Sequence, residues 1–141
     1  MAVAWLLARI NERQWSEEDL CRSPGAADEE LGRVKRRTDA LNARRSELVD
    51  RLDEWVATHL EQDRGAAPHT ETYGTVVDRM AIGWVRVTRM SGHELRPVAA
   101  AQLAELGAAY DILLSDVEAG RRCLPSWRSL KFYRAPAEVR S

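Results

Sequence analysis

The chain has little of what staples a small protein or carries it into a membrane. Cys21 and Cys123 stand far apart in 141 residues, with neither CxxC spacing nor clustered histidines. They read as free thiols in a reducing cytosol, and no disulfide framework is expected. Charge of one sign is lacking as well: 21 Lys and Arg face 22 Asp and Glu, a formal net charge of -1. No global basic field exists to hold nucleic acid or an anionic membrane, so neither is expected as a partner. No apolar run approaches spanning length, and Ala2–Ala8 lacks the basic lead of a signal peptide and runs into Arg9. The expectation is one cytoplasmic domain over residues 1–141, long enough to bury a core unaided. Phenylalanine is almost missing, one against five tryptophans. An indole fills core volume but wants a partner for its N–H.

What is present is helical periodicity. Leu31, Val34, Thr38, Leu41, Arg45, Leu48, Leu52, Trp55 and His59 recur 3 and 4 apart, on one stripe of a long helix. Thr38, Arg45 and His59 are the polar intruders, and a buried polar group without a partner costs several kcal/mol, roughly. This second helix is expected from a cap at Asp28, with Glu29 and Glu30 in its first turn, to about Leu60. A first helix is expected from Val3 to Leu20, with Val3, Leu6, Leu7, Ile10 and Trp15 inward, stopped by Ser23-Pro24-Gly25. Gly65-Ala66-Ala67-Pro68 marks a loop. A third helix starts near Thr72 or Thr75, where Thr75-x-x-Asp78 reads as a capping box, with Val76, Val77, Met80, Trp84 and Val87 inward. It ends at Ser91-Gly92. A fourth runs from Pro97 to Gly120. The basic tail from Arg121, interrupted by Pro125 and Pro136, reads as a short helical turn and then irregular. The fold class is all-α, an antiparallel bundle of four main helices.

Three stretches carry a likeness. They are Asn11-x-x-x-Trp15-x-x-Glu18-Asp19 with Val34-Lys35-Arg36-x-x-Asp39-x-x-Asn42-x-x-Arg45, then Glu71-Thr72-x-Gly74-x-x-x-Asp78-Arg79-x-x-Ile82, then Leu130-Lys131-x-Tyr133. With these the chain resembles the bacterial domain-of-unknown-function family 4254. The resemblance implies a short helical protein in a metabolic context and no reaction. Where that family pattern has histidine, this chain has Ser16 and Arg89.

Candidate site residues follow from chemistry. Arg45 offers a planar fork for a carboxylate or phosphate; the plainer reading is an ion pair on a packed helix. Arg79 and Arg86, two turns apart, share a face that is either a ligand surface or solvated. Trp15, Trp55 and Trp84 would wall a pocket for a flat or sugar-like ligand, or simply fill the core, and Asn42 joins this ligand-binding set. His59 and Asp78 are the acid–base candidates, against a helix-end histidine and a capping carboxylate. Glu17, Glu18, Asp19, Glu47 and Asp50 read as a solvated face, so neither a metal nor a cofactor is expected. The three histidines are too scattered for zinc.

The second helix orders its charges backwards. Beyond the capping turn, Arg33, Lys35, Arg36, Arg37, Arg44 and Arg45 come early against Asp39, and Glu47, Asp50, Asp53 and Glu54 come late against Arg51, an order opposed to the macrodipole. Antiparallel pairing with a second copy would match the halves, so a homodimer is expected. The rival is a tail whose Arg121, Arg122, Arg128, Lys131 and Arg134 cover the acidic half. The functional expectation is a small metabolic enzyme or ligand-binding protein, with sugar or specialised metabolism as its context. It would have an Arg-lined interhelical pocket for an anionic small molecule. A non-catalytic helical adaptor is the alternative.

Overall fold

The computed structural model describes residues 2–21 and 28–126. The Ser23-Pro24-Gly25 stop and the positions Arg128, Leu130, Lys131, Tyr133, Arg134 and Pro136 lie outside the described residues. The fold is all-α: α1 (Ala2–Cys21), α2 (Asp28–His59), α3 (Tyr73–Arg89) and α4 (Arg96–Glu118). Asp28, Glu29 and Glu30 lie in the first turn of α2, where carboxylates meet the positive helix end. Thr72 is the N-cap of α3, and its hydroxyl accepts from the Thr75 N–H at 3.3 Å. The Thr75-x-x-Asp78 box therefore does not form, because Thr75 is already helical and Asp78 is turned into the protein. Gly120 stops α4 with φ +67°, a conformation that costs glycine nothing.

From Arg121 to Ser126 the chain is not helical. Arg122–Cys123 (β2) pairs in parallel with Ala67–Pro68 (β1), and Cys123 C=O accepts from the His69 N–H at 2.8 Å. Such a clip uses backbone groups, which side-chain periodicity does not report. Leu124 N–H donates to Gln62 Oε1 at 2.7 Å, and its side chain completes a core cluster with Val56, Val76, Leu113 and Val117. Arg121 and Arg122 both reach Asp116 on α4, not the acidic half of α2.

Cross-helix contacts give the directions. Gln14 meets Asn42 and Glu17 meets Arg37, so α1 and α2 run antiparallel. Asp53 meets Gly74 and Arg45 meets Asp78, so α2 and α3 do too. The core of this trio is Leu7, Ile10, Leu48, Ala81 and Val85. Leu103 lies beside Gly83 and Tyr110 beside Tyr73, which sets α4 antiparallel to α3. However, α4 makes close backbone contact only with α3 and β2, and stands off from α1 and α2. It is also long and apolar enough to cross a membrane by length and composition alone, and little of it is buried. Gln102 and Glu105 interrupt its alanines, leucines and valines, so it contains no unbroken apolar run of spanning length.

The α2 stripe is buried at Val34 and Leu48 and exposed at its two ends. Leu48 is 1% exposed, but Leu31 is 37% and Trp55 56% exposed. A strict 3–4 alternation repeats every 3.5 residues, whereas a straight helix turns every 3.6, and the stripe drifts about 20° per heptad. By the C-terminal half, Asp53 and Val56 have taken the inward positions, and Trp55 and His59 have rotated out. A similar one-position shift affects α3. Val76 is buried as expected, against Leu113 and Val117, and the side facing α1 and α2 is Gly74, Asp78, Ala81 and Val85, while Tyr73, Val77, Met80 and Trp84 form a second stripe.

Candidate functional site

A polar cluster joins α1, α2 and α3. Asn11 and Gln14 on α1 and Asp78 on α3 are buried, and Arg45 reaches them from α2. Arg45 Nη1 donates to Gln14 Oε1 at 3.1 Å and Asn11 Oδ1 at 3.4 Å, and Nε lies 3.4 Å from Asp78 Oδ2. Asn11 Nδ2 donates to Asp78 Oδ1 at 3.2 Å and to the Leu7 carbonyl at 3.0 Å. Gln14 Nε2 donates to Asn42 Oδ1 at 2.6 Å. Both carboxylate oxygens of Asp78 are thus occupied, which suits a clamp holding three helices better than a proton-transfer group.

The other sequence candidates disperse. Arg79 pairs with Glu71, and Arg86 is exposed farther along α3. Trp15 packs against the first core. His59 is exposed and stacks on Trp55, centroids 4.9 Å apart and planes within 14°, with Nδ1 2.9 Å from the Trp55 carbonyl oxygen. Arg89 Nη2 donates to Ser16 Oγ at 2.5 Å, so the two positions that depart from the resemblance are each other's partners. Among the described residues, no group of three or more His, Cys, Asp or Glu is placed to hold a metal.

A cavity among the described residues lies elsewhere, in the wedge left where α4 stands off. It is an open groove of about 1020 Å³. α1 lines it with Ala4, Trp5 and Ala8, α2 with Arg51, Leu52 and Trp55, and α3 with its second stripe, Tyr73 to Trp84. Leu103 and Tyr110 of α4 close the far side. Trp5, Trp55 and Trp84 are 63%, 56% and 50% exposed. The Arg9 guanidinium lies over one face of the Trp5 indole, 5.7 Å from the ring centroid. Tyr73 and Tyr110 share a hydroxyl–hydroxyl bond of 2.8 Å at the α3–α4 seam. Burial, and then the bond to Tyr73, hold the Tyr110 phenol well above the ordinary tyrosine range, so it stays protonated.

The groove therefore contains two of the three tryptophans singled out from sequence, with Trp5 in place of Trp15, and Arg51 in place of Arg45, Arg79 and Arg86. A signal for it existed. Tyr73, Val77, Met80 and Trp84 recur 4, 3 and 4 apart, as do Gly74, Asp78, Ala81 and Val85, so α3 has two stripes and needs two partners. Asp53, whose carboxylate accepts from the Gly74 N–H at 2.6 Å, had no such signal, because it sits among solvated acids in the sequence.

No curated protein and no solved structure matches the chain. The model of the protein family of unknown function DUF4254 matches residues 2–126, a span that takes in every described residue, and the protein belongs to that family.

Proposed function

We propose that this protein binds a small molecule with a flat or extended apolar body in the groove between α1, α2, α3 and α4. The observation that carries this reading is the set of three half-exposed tryptophans converging on one apolar cavity. Covering half of three indoles removes about 300 Å² from water, worth roughly 7 kcal/mol at about 25 cal/mol per Å² before binding entropy is subtracted. The volume is near the upper end of ordinary ligand pockets. A sugar fits less well, since a polar ligand needs matching donors and acceptors, and the two tyrosine hydroxyls bond to each other. No Asp, Glu, His or Cys is among the described lining residues, which favours binding over acid–base catalysis.

Fluorescence titration with the neutral probe N-phenyl-1-naphthylamine tests this. Saturable one-to-one binding is expected, weakened at least about tenfold by Ala4→Trp, which fills the groove from its exposed α1 wall. Absence of saturable binding, or indifference to Ala4→Trp, overturns the proposal. The adaptor reading draws on α4 alone, whose exposed Val98 and Ile112 lie outside the groove lining. Cytoplasmic residence and a homodimer are proposed from the sequence. The dimer rests on the charge order of α2, although Arg33, Lys35, Arg37 and Arg44 each have a carboxylate partner within the chain. Light scattering at twice the 15.9 kDa chain mass would support the dimer, and a concentration-independent single-chain mass would dismiss it.

A further inference from the structure

We propose that Arg51 anchors an anionic head group, so that the ligand of the groove is an amphiphile: an apolar body carrying one carboxylate, phosphate or sulfonate. The proposal rests on the groove being a ligand site. Arg51 is the one charged side chain among the described residues that line it. A solvated arginine is unremarkable by itself, and its neighbours make this one informative. Arg33, Arg37, Arg44 and Arg45 on the same helix have a carboxylate within 3.4 Å; Arg36 has none among the described residues, but it lies outside the groove lining. Glu47, one turn before Arg51, is turned to Arg44 at 2.6 Å. Arg51 has no hydrogen bond or ion pair with any described residue. It stands one turn from Trp55 on an apolar wall, where its methylene stem extends that wall and its head remains a free planar fork. The tyrosine hydroxyls are spent on each other, so the complementary charge for a ligand is this single cation. One fork matches one anionic group bidentately.

Two probes with the same skeleton separate the anchor from the groove. N-phenyl-1-naphthylamine is neutral, and 8-anilino-1-naphthalenesulfonate adds only a sulfonate. Titrating both into the full chain, into Arg51→Met and into Arg51→Lys should show three things. The unsubstituted chain should prefer the sulfonate about tenfold to a hundredfold, the gain of a charge-assisted contact. Arg51→Met should erase that preference while leaving the neutral probe within about twofold, and the probes should compete for one site. Arg51→Lys should retain part of the preference, since the charge remains and the fork is lost. Equal affinity for both probes in the unsubstituted chain, or a preference that survives Arg51→Met, overturns the anchor and leaves the groove reading standing. Failure of both probes overturns the groove reading and the anchor with it.

Discussion

Arg45 and Asp78 meet at 3.4 Å across the α2–α3 contact, with Asn11 bonded to the second oxygen of the same carboxylate. Replacing Arg45 by Leu leaves a buried carboxylate with one neutral partner. The guanidinium is one-third exposed, so water takes part of that loss, and a destabilisation of about 1–3 kcal/mol is expected in urea unfolding. Adding Asp78→Asn should recover part of it. A neutral or stabilising Arg45→Leu would show that the cluster holds nothing together.

Two glycines should respond with opposite sign. A Cβ at Gly74 would sit 2.4 Å from the Val49 carbonyl oxygen and 2.9 Å from Asp53 Oδ1, so Gly74→Ala must push α3 off α2. A loss of about 3 kcal/mol is expected. At Gly107, inside α4, an added Cβ meets nothing within 4 Å, and Gly107→Ala should gain about 0.5–1 kcal/mol from helix propensity. Thermal melts of the two variants read the signs directly.

Tyr110 sets an alkaline limit. Its folded phenol titrates above the unfolded one, so above the ordinary value of 10.0 the unfolded chain releases a proton that the folded chain keeps. Stability from this group is complete below that value and falls as pH rises through it. Tyr110→Phe should flatten the loss of stability above pH 10 by up to one proton, measured by urea unfolding across the alkaline range. An unchanged slope would mean that the phenol is not protected.

Trp15 and Trp55 should separate stability from binding. Trp15 packs on the core, and Trp15→Leu is expected to cost about 2 kcal/mol of stability with little effect on naphthylamine binding. Trp55 is more than half exposed, and Trp55→Leu should cost less than about 1 kcal/mol yet weaken the probe roughly tenfold. A common response of both variants would erase the distinction between core and groove.

The helices were legible in the sequence because 3–4 periodicity reports burial directly, and Pro97, Thr72 and Gly120 mark ends through backbone chemistry. The site was less so. An isolated stripe does not say whether its partner is core, groove or solvent, and this affected Trp15, Trp55 and Trp84 alike. Trp55 and His59 left the buried face through a drift that nine residues accumulate and three do not. Arg45 was conspicuous as a polar residue on an apolar stripe, yet Asn11, Gln14 and Asp78 come from helices 30 or more residues away. Arg51 was inconspicuous because it sits in an acidic stretch, and only the structure shows that Glu47 turns from it.

The groove is tested most directly by the indole N–H signals in an ¹⁵N correlation spectrum, assigned by single substitution and followed during titration with N-phenyl-1-naphthylamine. The signals of Trp5, Trp55 and Trp84 should shift together along one saturation curve while that of Trp15 stays in place. A spectrum in which those three remain fixed, or in which Trp15 alone responds, would contradict the existence of a binding groove where α4 stands off.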